Sequence, residues 1–183
     1  MAVEIIPLPL ISFSGKIHLV ASDEELAAVA GELAKATALG FDTETRPSFK
    51  KGESYLPALL QLATVDTAWL VRLHSIKNFD LLKSVFENEA VLKTGVAISQ
   101  DLKQLQKLFK FTPKNFTELQ ALAKKKNLNN FGLQGMTEEL LQSRLSKRAK
   151  ITNWEAPVLS PQQILYAATD AWIGLQLYEK LKD

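Results

Sequence analysis

Apolar residues recur along this chain with two different periods. Leu26, Ala27, Val29, Ala30 and Leu33 keep the spacing of one helix face. With Ser22 or Asp23 at the cap, that face predicts a helix reaching about Ala38. Further helices are predicted over Phe79 to Glu87, along Leu102, Leu105, Leu108 and Phe109, over Leu119 to Lys126, and over Leu133 to Leu141. The last helix opens on Ser160 and Pro161, a capping serine followed by proline at the first helical position, and runs to about Leu181.

Between these lie short runs of the other kind. His18-Leu19-Val20 reads as an edge strand. Phe41 to Glu44 reads as the end of a buried strand, Leu59 to Val65 as another, and Ala68 to Leu73 as its hairpin partner across a tight Asp66-Thr67 turn. Val91 to Val96 is a fourth main strand, and Lys114 to Glu118 holds a short one. Residues 1–17 read as an extended lead-in, Arg46 to Pro57 as a polar loop broken by prolines and a glycine, and Ser146 to Pro157 as a basic irregular connection. Helices interleaved with strands, plus one hairpin, predict an α/β fold: a mixed sheet with helices on both faces. No repeat or linker divides the 183 residues, so a single domain over 1–183 is expected.

Composition narrows the picture. Hydrophobic residues make up 46% and charged residues 23%, which excludes a disordered chain. With no cysteine, disulfide scaffolds and thiolate metal sites are excluded. The first ten residues lack a basic leader and carry two prolines, so a secretory signal is not expected. No apolar run is long enough for a membrane span, and a cytoplasmic location is the expectation. Net charge is only +2, but eleven of the 22 basic residues fall between Lys103 and Lys150, against three acidic ones. That stretch forms either a solvated helical surface or a face that attracts a polyanion.

Chemistry concentrates in three blocks. Asp42 and Glu44 are two apart, so in extended chain they point to the same side. Asp101 follows the Val91–Val96 strand at the start of a helix, and Tyr166 and Asp170 lie one turn apart on the last helix. Singly, each has an ordinary reading: strand-end carboxylates, a helix N-terminal aspartate favoured by the dipole, and two helix-surface residues. Together, four converging carboxylates would repel one another and would need protons or cations between them. Oxygen ligands favour Mg²⁺ or Mn²⁺, and two such ions about 3.5–4 Å apart activate water and stabilise a leaving oxygen on a phosphodiester. Tyr166, with an ordinary phenol pKa of roughly 10, suits orienting the attacking water better than acting as a base.

The three blocks resemble the motifs of the DEDD superfamily of 3′–5′ exonucleases. They are Phe41-Asp42-Thr43-Glu44 with Leu60-Gln61-Leu62, then Lys93-Thr94-Gly95-Val96 leading to Asp101, then Asn153-Trp154 with Tyr166-Ala167-Ala168-Thr169-Asp170. A tyrosine four residues before the last aspartate matches the tyrosine branch. The histidine branch would use the position held here by Leu165. Within the tyrosine branch the chain is similar to ribonuclease D and to the Werner-syndrome exonuclease domain. The resemblance implies a ribonuclease-H-like fold and stepwise release of 5′-monophosphates from DNA or RNA 3′ ends. It also implies two divalent cations held by Asp42, Glu44, Asp101 and Asp170, and a water oriented by Tyr166. Thr45 departs from the pattern, since Werner-type relatives often carry tryptophan there.

Thr43, Thr45, Phe49, Tyr55, Lys147, Arg148 and Lys150 are candidate substrate contacts: the basic ones for phosphates, the aromatic ones for stacking on a terminal base. Trp154 reads as a packing residue. Two rival readings remain. One is a catalytically silent nucleic-acid-binding or scaffolding module. The other is a phosphatase using Asp42 as nucleophile, which leaves Asp101 and Tyr166 without a role.

Overall fold

A central strand, β2 (Ala38–Glu44), organises the molecule, which is described by a computed structural model over residues 7–183. β2 pairs antiparallel with β3 (Leu59–Ala63) on one side and parallel with β5 (Leu92–Gly95) on the other. The sheet continues through β4 (Thr67–Arg72) to β1 (Lys16–Val20) at one edge, and through β5 to β6 (Phe116–Glu118) at the other. The order is β1-β4-β3-β2-β5-β6, a mixed six-stranded sheet.

Alternation along β2 sorts the two faces. Leu39 and Phe41 point to the side covered by α1 (Asp23–Leu33), α2 (Asp80–Phe86) and α3 (Ile98–Leu108). The aromatic rings of Phe41, Phe86, Phe109, Phe111 and Phe116 interlock there at centroid distances of 4.8 to 5.9 Å. Gly40, Asp42 and Glu44 point to the opposite face, under α6 (Pro161–Leu181). The helices α4 (Leu119–Lys125) and α5 (Leu133–Leu141) pack on the far end of α6 through Leu119, Met136, Ile173 and Leu177.

The small residues of this second face set how close α6 comes. Ala167, Ala168 and Ala171 are fully buried against the sheet. A Cβ on Gly40 would lie 1.8 Å from the Ala171 carbonyl oxygen. Gly40→Ala is therefore expected to push α6 off the sheet and to cost about 1–3 kcal/mol, the range for overpacking a core. Urea unfolding measures it, and a wild-type midpoint would contradict so close a contact.

The described part of the lead-in is strapped down rather than loose. The Ile11 N–H donates to the Arg144 carbonyl at 3.0 Å, the Arg144 N–H to Pro9 at 2.9 Å, and the Phe13 N–H to the Thr169 hydroxyl at 3.0 Å. Lys16 and Ile17 already belong to β1, so the edge strand begins two residues before His18. The rest of the lead-in, residues 1–6, lies outside the described residues. The first helix is shorter than its alanine-rich pattern predicts. It stops at Leu33, because Thr37 and Ala38 are drawn into the ladder beside Leu92. The hairpin turn falls one residue early, with Thr67 opening β4, while Leu73 leaves the strand for a 3₁₀ turn, Leu73–Ser75. Trp154 is buried in the α6 face, as a packing residue should be.

Candidate active site

The end of β2 and the third turn of α6 bring three acids together. One carboxylate oxygen each from Asp42, Glu44 and Asp170 lies within 4.8 Å of the others. The close seating of α6 on Gly40 makes this possible, since Asp170 precedes Ala171 directly. Asp170 is 8% exposed, and Asp42 and Glu44 are half-buried.

Burial raises the proton affinity of every member, and repulsion from neighbouring acids adds to it at Asp42 and Glu44. Asp42 is pushed well above the ordinary aspartate value, first by loss of water and then by Asp170 and Asp101. Glu44 rises to about 10, by burial and by the three neighbouring aspartates, with Gln61 acting the other way. Asp170 rises to about 7 by burial, held back by the Tyr166 hydroxyl and by Lys150. Tyr166 itself is raised, by burial and by the surrounding anions, so it stays a neutral hydrogen-bonding phenol at neutral pH. A pocket of clustered anions that resist ionising is what a hard divalent cation would relieve. The donor set, all carboxylate oxygen, fits such an ion.

Asp101 approaches from the other face of the sheet. It sits in the first turn of α3, close enough to raise Asp42 and Glu44 but outside the tight trio. Thr43, which alternates away from Asp42, donates its hydroxyl to Asp101 Oδ1 at 2.5 Å, and its N–H donates to Asp42 Oδ1 at 2.9 Å. Thr43 thus bridges the two acids. The start of α3 is fixed by Glu118, whose carboxylate accepts from the N–H groups of Ala97 and Ile98, each at 2.8 Å. Ala97 holds a left-handed φ of 56°, a strain this double cap maintains.

A cavity of about 450 Å³ opens above the acids, within the roughly 300–1,000 Å³ range of small-ligand clefts. Lys147 and Lys150 line it, whereas Arg148 turns to a neighbouring cavity of about 180 Å³. Thr45 is exposed one residue past β2. Phe49, 82% exposed, and Tyr55 lie outside this cavity, in a groove with Ile151 and Asn153, where the Arg46 guanidinium sits 4.9 Å from the Tyr55 ring centre. Gly132, Leu133 and Gln134, which carry no site motif in the sequence, form another wall. Only the fold carries the start of α5 to this place, so local pattern held no signal for them.

The basic connection before α6 is tied down from two sides. Arg72, 6% exposed at the end of β4, donates from Nη1 to the Pro157 carbonyl at 2.7 Å and from Nη2 to that of Ala156. Gln163 in the first turn of α6 accepts from the Ser160 N–H at 2.9 Å and donates from Nε2 to the Thr152 hydroxyl at 3.0 Å and the Asn153 carbonyl at 3.2 Å. Trp154 is thereby set 6.0 Å from the Tyr166 ring, centroid to centroid.

Known proteins share both sequence and fold. A 3′–5′ exonuclease from Arabidopsis thaliana is 35% identical over 154 residues, covering 79% of this chain and 52% of that protein. The bifunctional 3′–5′ exonuclease/ATP-dependent helicase WRN of Mus musculus is 33% identical over 184 residues, covering 95% of this chain but 13% of the relative. This chain thus spans about half or less of these relatives. The crystal structure of Escherichia coli RNase D, an exoribonuclease involved in structured RNA processing, superposes with a TM-score of 0.80 at 26% identity, covering 91% of this chain and 44% of that one. The mixed sheet and its helices are those of the ribonuclease-H-like exonuclease domains. The 3′–5′ exonuclease family model matches residues 17–183, and this chain belongs to that family.

Proposed function

We propose that this chain is a 3′–5′ exonuclease of the tyrosine branch, removing nucleotides singly from a DNA or RNA 3′ end and leaving 5′-monophosphates. The observation that carries the reading is the trio of converging carboxylates, Asp42, Glu44 and Asp170, at the floor of a cavity walled by Lys147 and Lys150. Asp42, Glu44 and Asp170 would hold one divalent cation, Mg²⁺ or Mn²⁺. Asp42 and Asp101 would hold a second. Bound there, the ions would supply the positive charge that activates water and stabilises the leaving oxygen.

The chain's own residues do the rest. Tyr166, neutral and one turn from Asp170, orients the attacking water through its hydroxyl. Lys147 and Lys150 draw the phosphate groups of the strand into the cavity, a contact blind to sequence. Thr43 keeps Asp101 and Asp42 in register across the sheet. No helix of the described residues is long and apolar enough to cross a membrane.

The direct test offers matched DNA and RNA oligonucleotides with labelled 5′ ends to the wild type and to Asp42→Ala, with Mg²⁺, with Mn²⁺ and with chelator. A ladder shortening from the 3′ end with metal and wild type alone is expected. Equal shortening by both proteins would reject the reading. A silent binding module, by contrast, would retain oligonucleotides without shortening them under any ion.

A further inference from the structure

Strand β3 reads Leu59-Leu60-Gln61-Leu62-Ala63, and every one of these residues is fully buried. Gln61 faces α6 between Leu59 and Ala63, beside Leu70 of β4 and directly opposite Asp42 of β2. Neither its Nε2 nor its Oε1 makes an aligned hydrogen bond. Among the described residues Gln61 leaves two polar atoms unmet, against one each on Arg72, Trp69 and Trp154. Lys93 donates to the Val85 and Asn88 carbonyls, Arg72 to those of Ala156 and Pro157, and Gln163 to Thr152 and Asn153. Stability alone gives no reason for Gln61, since a buried amide without partners is unfavourable where methionine or leucine would pack.

We propose that Gln61 is a positioning residue for the carboxylate cluster: from beneath Asp42 it donates to Glu44 and fixes the orientation in which Glu44 offers an oxygen to a divalent cation. The inference rests on the exonuclease reading above. Glu44 lies two residues beyond Asp42 on β2, on the same face as Gln61 and diagonal to it across the ladder, a separation that a long side chain spans. A glutamate has more side-chain freedom than the aspartates around it. A donor on the carboxylate oxygen turned away from the ion removes that freedom, as partners behind metal ligands generally do. The amide is neutral, so it does this without adding charge to a crowded site. Both polar atoms of the amide are unmet in the structure, so it is available for that contact.

The experiment titrates Mn²⁺ calorimetrically into metal-free wild type, Gln61→Met and Gln61→Asn, and measures Tm in chelator and in Mn²⁺. Methionine matches the volume and removes the orphaned amide, so that variant is expected to melt in chelator at or above the wild-type temperature. Its Mn²⁺ affinity is expected to fall about 10–100-fold. Asparagine, one methylene short of Glu44, is expected to weaken Mn²⁺ as well. Wild-type Mn²⁺ affinity in either folded variant would overturn the proposal, as would a methionine variant whose only defect is a lower Tm in chelator. Asp42→Asn serves as control: a wild type that takes up no Mn²⁺ defeats the exonuclease reading itself, whereas normal uptake with indifferent Gln61 variants defeats this proposal alone.

Discussion

Replacing Asp170 with asparagine is expected to abolish nucleotide release while making the metal-free protein more stable. Asp170 is nearly buried and shares its pocket with Asp42 and Glu44. Without a cation it carries a desolvation penalty, and its pKa stands near 7 instead of in the ordinary carboxylate range. Asparagine has nearly the same shape and no charge, so it relieves the repulsion. Each kcal/mol recovered raises Tm by about 2–4 °C in a chain of this size. The same change removes a carboxylate proposed to hold the cation, and 3′-end shortening should fall by on the order of 10²–10³-fold, the scale on which charge-stabilising groups act in the transition state. Such opposed effects mark a site held against its own stability. A variant that melts below the wild type in chelator, or that still shortens oligonucleotides, would contradict this account.

The second large effect is a divalent-ion stabilisation that grows with pH. A carboxyl whose folded pKa is raised contributes stability that is complete below its unfolded value, near 4, and is lost as pH climbs through the folded value. Asp170 crosses near pH 7 and Glu44 near pH 10, so the metal-free protein should lose Tm from about pH 5 upward. Other groups run the opposite way, two of them inside this pH window. His74 is lowered by burial and by Arg72, and Lys93 is lowered by burial to about 8. Both contribute more stability at higher pH, His74 below neutrality and Lys93 above about pH 8. They are common to the metal-free and metal-bound forms, so the difference in Tm between chelator and Mn²⁺ isolates the cluster. That difference should be small near pH 5 and rise steadily to pH 9. A difference that shrinks or stays level with pH would mean the acids do not meet at a cation.

Much of this was legible in the residues, for physical reasons that differ from element to element. The period-two alternation through Phe41-Asp42-Thr43-Glu44 placed both acids on one side of a strand before any fold was known, and they do share the α6 face. The Ser160-Pro161 start and its Gln163 make a full capping box, so the last helix and the Tyr166–Asp170 spacing followed from local chemistry. What local pattern misses is what tertiary pairing decides. Alanines at 36 and 38 favour helix, yet Ala38 is claimed by the ladder. Thr43 looked like a substrate contact, and only the arrival of α3 shows its hydroxyl bound to Asp101. Gln61 was visible as a polar residue inside an apolar run, but its meaning waits on knowing that Asp42 lies across from it.

Gln163 links two functions through one side chain. It grips Thr152 and Asn153, just past the lysines that line the cavity, and it sits one turn before Tyr166 on the same helix. A shift in that amide would move the cavity lysines and Tyr166 at once, and with them the hold on the strand and the aim of the water that are proposed above. Selection acting here would therefore find affinity and turnover hard to tune apart: a looser hold on the leaving strand would come with a poorer angle of attack. On the exonuclease reading proposed above, a variant that gains affinity without losing turnover should carry its change elsewhere.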